Sequence, residues 1–460
     1  VYITRQKPDN KKQIQEISML SHHDNELMCR VEGDAPMGKI MRSHWLPACL
    51  SEELPEVDGK PVRIRLLGEN LVAFRDSNGR VGVIDEKCPH RKASMALGRN
   101  EECGLRCLYH GWKVDVEGNV TEMPSEPAGS TLTEKVKVKA YKTHEAAGFI
   151  WVYMGNQDEV PEFTAPVFQP TANTKISIAK TKIDCNWAQI LEGAIDSAHS
   201  STLHSTDMVP ARKSQAEADD QLWYRPSTDR APRLQVEETP FGFRYAAIRR
   251  PIKDAKTHDY VRTTLFIAPY TVQIPPNNRY NIAILHVPID DTHTAFHFIA
   301  WGNRETTPDT ETWRKFLGLQ VGVDQDASFN RFNTYSNDYG QDRIIMKTGE
   351  SFTGIRGIPN QDIAMWETMG PIADRSEDRL GASDLAIVQF RRQMVLAAKV
   401  VAEGGIAIGA TEPRIRHSEL TSFEGIVPKG TEWRAIGRAL GEAPLEPSKD
   451  VQEQLEVEPS

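Results

Sequence analysis

Two short loops each present one thiol and one imidazole: Cys88-Pro89-His90 and, after sixteen further residues, Cys107-Leu108-Tyr109-His110. Two soft thiolates and two neutral imidazoles can be shared between two irons, the sulfurs on one and the nitrogens on the other. That is a mixed-ligand [2Fe–2S] cluster, whose imidazoles raise its potential above that of an all-cysteine cluster. A tetrahedral zinc site is the competing metal reading, with Cys103 as a spare ligand. Zinc would more often pair two CxxC knuckles than mix Cys and His identically in both loops. Free buried cysteines and core histidines are the third reading, and they leave the repeated spacing to coincidence. The repeat favours the cluster.

A second group of ligand types follows in the segment from Asn186-Trp187 to Asp196, His199 and His204. On a helix, Asp196 and His199 share a face. His199 and His204, five residues apart, would point about 140° away from each other. They cannot converge on one ion from a straight helix, so the chain must break between them. Ser200-Ser201-Thr202, with hydroxyls that compete for backbone hydrogen bonds, is the expected place. Two imidazoles and a carboxylate on Fe(II) leave neighbouring positions open for dioxygen and water. Taken alone, two such histidines are equally at home in a core or on a surface. A redox cluster in the same chain gives them something to receive electrons for.

The scaffolds that must hold these residues are of two kinds. From Val62 to Trp112 short strands alternate with tight turns, and Asn78-Gly79 and Gly118-Asn119 mark hairpins. This predicts a small all-β domain over residues 45–155. Pro161, Pro166 and Pro170 punctuate a linker over 156–174. Beyond it, β-type runs at Tyr260–Ile274, Tyr280–Val287 and Thr294–Trp301 mix with helical segments near Asn186–His204, Glu311–Gln320 and Asp384–Glu403. In the last of these Ile387, Phe390, Met394, Ala397 and Val401 share one face, with Ser383 as N-cap and Gly404 as stop. Strands and helices do not alternate, so the class is α+β and not a doubly wound or barrel fold.

Composition narrows the function. Lys+Arg 55 against Asp+Glu 64 gives −9, and residues 442–460 hold six acids and one base. No basic run suits a nucleic-acid binder. No stretch reaches the ~20 apolar residues of a membrane span. Six cysteines in 460 residues are too few for a disulfide scaffold, which points to a reducing cytoplasm. The sequon Asn119-Val120-Thr121 has no apolar leader before it to give it meaning. Residues 1–18 read as a disordered lead-in or tag, 19–44 as an N-terminal segment packing on the catalytic domain, and 441–460 as an acidic tail. No dinucleotide fingerprint is present; Gly404-Gly405-Ile406-Ala407-Ile408-Gly409 has the wrong spacing.

CPHR followed by CLYHGW, and then DxxHxxxxH, resembles the Rieske non-heme iron aromatic-ring-hydroxylating oxygenases over most of residues 20–440. The resemblance implies a Rieske domain, then a helix-grip catalytic domain of 175–440 holding mononuclear Fe(II). Lys92 stands where the family often has Gly. The third iron ligand is expected from the helix of Asn360-Gln361-Asp362, making Asp362 the choice, with Glu367 and Asp384 as alternatives. Asp196 is expected to bridge an iron-ligand histidine to His110 of a neighbouring subunit. That implies head-to-tail rings, a homotrimer or a stacked hexamer. Electrons should come from a separate NADH-dependent flavin/iron-sulfur reductase.

The stretches MLSHHDNELMCR, PMGKIMRSHWLPACL and NQDIAMWETMGPIADRSEDRLGASD look most like the phthalate-dioxygenase type. That implies dihydroxylation of phthalate to a cis-4,5-dihydrodiol with O2. A chlorobenzoate dioxygenase or an O-demethylating monooxygenase is the alternative within the family. A Rieske electron carrier is the alternative outside it, though a single domain of ~100 residues would suffice for that. An aromatic dicarboxylate needs cations in its pocket, best supplied by guanidinium forks. Arg225, in Leu222-Trp223-Tyr224-Arg225-Pro226, and Arg262, on the strand face of Thr264 and Phe266, are the expected clamp. The competing reading makes each a surface arginine whose stem covers apolar area.

Overall fold

The computed structural model describes residues 20–210, 223–277 and 280–436. The sequence expectations for 1–18 and 441–460 lie outside the described residues. The architecture is α+β, as the pattern of elements requires.

The first domain is built from two antiparallel sheets. Strands β1 (Trp45–Leu50), β2 (Val62–Leu66), β3 (Glu69–Arg75) and β4 (Val81–Asp85) join two later strands in the larger sheet. The smaller sheet holds β5 (Arg99–Glu101), β6 (Gly104–Arg106), β7 (Lys113–Val114) and β8 (Val120–Glu122) in sequence order. The later strands are β9 (Ala140–Ala146) and β10 (Phe149–Tyr153), and the larger sheet runs β1-β10-β9-β4-β3-β2. Both expected hairpins form. Gly79 closes the first with φ 78°. At Gly118, φ 83°, an added Cβ would lie 2.2 Å from the Val138 carbonyl, so only glycine fits. The small sheet presents the two cysteine-histidine loops, one between β4 and β5 and the other between β6 and β7.

The second domain is organised by a long antiparallel sheet. Its strands are β11 (Thr174–Ile183) and, after a short parallel pair of β12 (Met208–Pro210) and β13 (Trp223–Arg225), the run β14 (Arg233–Thr239), β15 (Gly242–Arg249), β16 (His258–Ile267), β17 (Thr271–Asn277), β18 (Tyr280–Pro288) and β19 (Thr294–Asn303). The order is β11-β19-β18-β17-β16-β15-β14, and β20 (Phe423–Pro428) pairs with β16. The apolar run 260–274, read from sequence as one unit, is two strands turning at Ala268-Pro269.

Five helices matter for the site. α1 (His22–Cys29) and α2 (Pro36–Arg42) pack on α5 (Leu385–Ala402), while α3 (Trp187–Ile195) and α4 (Ile358–Thr368) pack on each other. Phe390 of α5 joins the layers: its ring lies 5.9 Å from Trp187 and 5.2 Å from Phe266, both edge-on. Ser383 does not cap α5; it lies in a 3₁₀ turn, Ala382–Asp384, that leads into it. No described helix is long and apolar enough to cross a membrane.

Two features of α3 position the site. Asn186 caps its start through Ala188 N–H at 3.0 Å and is itself pinned by donating to the carbonyls of Cys29 and Asp291. Gly193 lets α4 come close: a Cβ there would lie 2.3 Å from Nε1 of Trp366. The helix then stops at Ile195, whose carbonyl accepts from the Tyr245 hydroxyl at 2.6 Å, and Asp196 is already extended. The break therefore precedes His199, where the sequence reading placed it after. Asp196 and His199 meet through a turn and not across a helical face.

Candidate iron centres and active site

The two loops of the first domain are built alike. Cys88 N–H donates to Ala93 O and Cys107 N–H to Trp112 O, both at 2.8 Å. Lys92 N–H and Gly111 N–H return to the carbonyls of the two cysteines, both at 3.0 Å. The left-handed residues are Lys92 (φ 64°) and Gly111 (φ 76°), so the departure from glycine keeps the loop conformation. A side chain is tolerated at 92, whereas a Cβ at 111 would lie 2.6 Å from Cγ of Pro124.

This geometry brings together the four side chains expected for the cluster. His90 and His110 face each other with Nδ1 atoms 3.0 Å apart, and Trp112 stacks on His90 at 4.7 Å. Cys88 and Cys107 are both buried, and the Cys88 thiol is pushed up by burial and by Cys107 beside it. Two ring nitrogens this close, with two buried thiols behind them, fit a [2Fe–2S] cluster. Cys103 is engaged elsewhere, taking a hydrogen bond from Asn78 Nδ2 at 3.1 Å.

In the second domain, His199, His204 and Asp362 place one ligand atom each within 4.8 Å of the others. Nε2 of His199 is 3.4 Å, and Nε2 of His204 3.1 Å, from Oδ1 of Asp362. Burial works against charge on His199 and Asp362, yet the groups around them hold both ionised. Asp196 and Asp362 raise His199 to about 10, and the two imidazoles lower Asp362 to about 2. A divalent ion would replace those protons. Glu367 and Asp384, the alternative third ligands, are used elsewhere. Glu367 pairs with Arg331 and accepts from Asp184 N–H at 2.8 Å, and Asp384 accepts from Gly381 N–H at 2.6 Å.

Asp196 spans the gap between backbone and ring. Its Oδ1 accepts from Ala198 N–H at 2.7 Å and His199 N–H at 3.3 Å, an Asx-type turn. Its Oδ2 lies 3.5 Å from Nδ1 of His199, a buried nitrogen with no closer partner. Burial would raise the Asp196 carboxyl, but His199 and those amides hold it below its ordinary value.

Both arginines line one pocket with the triad. Ile274, Ile284, Phe296, Phe298 and Trp366 line it together with the charged groups, and it is partly open to solvent. They are not equivalent. Arg262 is buried and forms a 2.8 Å ion pair with Glu424, its cross-strand neighbour on β20. Tyr260 donates to the same carboxylate. Arg225 donates to the Ser200 hydroxyl at 2.8 Å, and its Nε is buried without a partner. Among the described residues no carboxylate is within ion-pair distance of it. Burial, then the like charges of Arg262 and Arg249, push it far below the ordinary arginine value. Such a group favours an anion beside it.

Sequence reasoning missed Glu424, Ser200 and Gln361. It also missed Arg249, which donates to the Ser197 carbonyl at 2.7 Å and so secures the turn before His199. Only the β16–β20 register reveals Glu424. Gln361 adjoins Asp362, but a polar residue there is not by itself a signal.

Comparisons with known proteins agree along the chain. The Rieske [2Fe-2S] domain family matches residues 44–142, and the LigXa C-terminal domain like family matches 152–457. A phthalate 4,5-dioxygenase oxygenase subunit of Pseudomonas putida is 62% identical over 90% of this chain and 94% of its own. A 3-chlorobenzoate-3,4-dioxygenase oxygenase subunit of Comamonas testosteroni is 36% identical over 89% and 96%. The solved structure of Pseudomonas putida CBB5 NdmB shares the fold, at a TM-score of 0.57 and 18% identity over 84% of this chain and 97% of that one. A Rieske cluster domain followed by a catalytic domain for mononuclear iron is thus the plan of this molecule, and the chain belongs to the Rieske-type ring-hydroxylating oxygenases.

Proposed function

We propose that the chain is the oxygenase component that converts phthalate, with O2, two electrons and two protons, to a cis-4,5-dihydrodiol. Arg225 carries this reading. A half-buried cation with a buried, orphaned Nε, in an aromatic-lined pocket beside the triad, suits an aromatic carboxylate. The identity to the phthalate 4,5-dioxygenase subunit supports the same substrate.

Cys88, His90, Cys107 and His110 would hold the cluster, and His199, His204 and Asp362 the iron. When bound, these groups supply one-electron transfer and a site for reducing dioxygen. The chain supplies the rest. Arg225 grips a carboxylate, while Phe296 and Phe298 cover the ring and exclude water. Ser200 fixes the guanidinium from the same turn that carries His199. Asp196, only partly exposed, holds the outer face of His199 and offers its carboxylate to a neighbour. We place His110 of a second copy there. The exposed rim of Leu97, Leu108 and Tyr109 around the cluster loops supports such a contact. The reading includes a homotrimer or stacked hexamer, a separate NADH-dependent reductase and a cytoplasmic location.

The Arg262–Glu424 pair favours a second reading, a monocarboxylate substrate, because one of the two cations is already neutralised. Steady-state turnover with a reductase and NADH separates the two. The phthalate reading requires kcat/KM for phthalate to exceed that for benzoate and 3-chlorobenzoate by at least tenfold. A preference for either monoacid overturns it.

A further inference from the structure

Nδ1 of His204 lies 2.7 Å from Oε1 of Gln361, and both side chains are buried. The amide nitrogen of Gln361 donates to the Ile355 carbonyl at 3.0 Å and to Oδ2 of Asp207 at 2.9 Å. A backbone carbonyl can only accept, so the NH2 end of the amide must face Ile355. That leaves the oxygen facing His204, and an acceptor there requires hydrogen on Nδ1. The neutral ring then keeps its lone pair on Nε2, the atom 3.1 Å from Asp362.

The anchor and the ligand belong to one turn. Asp207 N–H donates to the His204 carbonyl at 3.0 Å, and the Asp207 carbonyl accepts from Trp223 N–H at 2.9 Å. Gln361 in turn precedes Asp362 on α4. One amide thus ties the His204 turn to the helix bearing the carboxylate. The two histidines of the triad differ in what stands behind them: a carboxylate for His199, a neutral amide for His204.

We propose that Gln361 is a positioning residue for the iron site: held by Ile355 and Asp207, it fixes His204 as the Nδ1–H tautomer with Nε2 toward the metal. This rests on the reading of His199, His204 and Asp362 as the iron ligands. Loss of such an outer partner typically lowers metal affinity by roughly 10–100-fold.

The test uses full-length protein with its cluster in place, stripped of mononuclear metal by a chelator and titrated with Co(II) in a calorimeter. Gln361→Leu should bind Co(II) roughly 10–100-fold more weakly while keeping the cluster's visible spectrum. The variant Asp207→Asn keeps Gln361 with its Ile355 anchor, the acceptor for Nδ1–H, and an amide oxygen at 207 to accept from Gln361. It should bind at least about tenfold more tightly than Gln361→Leu. Native affinity in Gln361→Leu, or equal loss in both variants, overturns the assignment. Should Gln361→Leu not fold, Gln361→Met, which keeps the side chain's length and lacks the acceptor, takes its place: a loss of roughly 10–100-fold supports the assignment and native affinity overturns it. Native protein that takes up no Co(II) at all overturns the triad reading beneath it instead.

Discussion

Arg262 and Glu424 face each other across β16 and β20 in a buried 2.8 Å ion pair, within the pocket where Arg225 meets no carboxylate among the described residues. The two arginines should therefore fail differently when replaced. Arg262→Met leaves Glu424 charged and buried, which costs about 3–5 kcal/mol of stability. Arg225→Met removes a half-buried cation already disfavoured by its neighbours, and should leave stability native or higher. Its loss should appear in phthalate binding: a charge-assisted hydrogen bond of about 1.5–3 kcal/mol predicts a roughly 10–150-fold fall in kcat/KM. Urea unfolding and steady-state kinetics on the two variants measure both effects. Equal destabilisation by the two replacements contradicts the asymmetry.

Asp196 has two jobs that one substitution separates. Oδ1 caps the turn through Ala198 and His199 N–H, and asparagine keeps that oxygen. The charge beside His199 Nδ1 is lost in Asp196→Asn. The variant should keep its cluster spectrum and three irons per chain, yet form no product in a single turnover from the reduced protein. Product at the native rate removes Asp196 from the electron path.

The left-handed residues of the two cluster loops give a third prediction. Lys92 holds φ 64° at a cost of roughly 1 kcal/mol relative to glycine, so Lys92→Gly should stabilise the first domain by about that amount. Gly111→Ala should lower cluster loading, because its Cβ meets Pro124 at 2.6 Å. Thermal unfolding followed at the cluster absorbance, with iron and sulfide counted, checks both. Lower stability in Lys92→Gly goes against the reading of the loop.

What the sequence disclosed divides along physical lines. Cys88, His90, Cys107 and His110 were legible because both halves of the arrangement lie in short local loops with the same closure. The pairing of His199 with His204 was legible as a spacing, but not the place of the break. Helix α3 ends where Asp196 Oδ1 turns the chain through Ala198 and His199 N–H and the Tyr245 hydroxyl takes the Ile195 carbonyl, and the second of these is a tertiary contact. Asp362 came from resemblance, since its approach depends on Gly193 against Trp366. Arg262 was found and its partner was not. Glu424 reaches it through the register of β16 with β20, which no local pattern encodes.

The central claim is that these two centres and this pocket dihydroxylate phthalate. The most direct measurement is a single turnover without reductase: protein reduced anaerobically, phthalate in excess, then ¹⁸O2, with the product identified by mass and stereochemistry. The account predicts a cis-4,5-dihydrodiol carrying two ¹⁸O atoms. A product with one ¹⁸O, or oxidation of the cluster with no product at all, contradicts it.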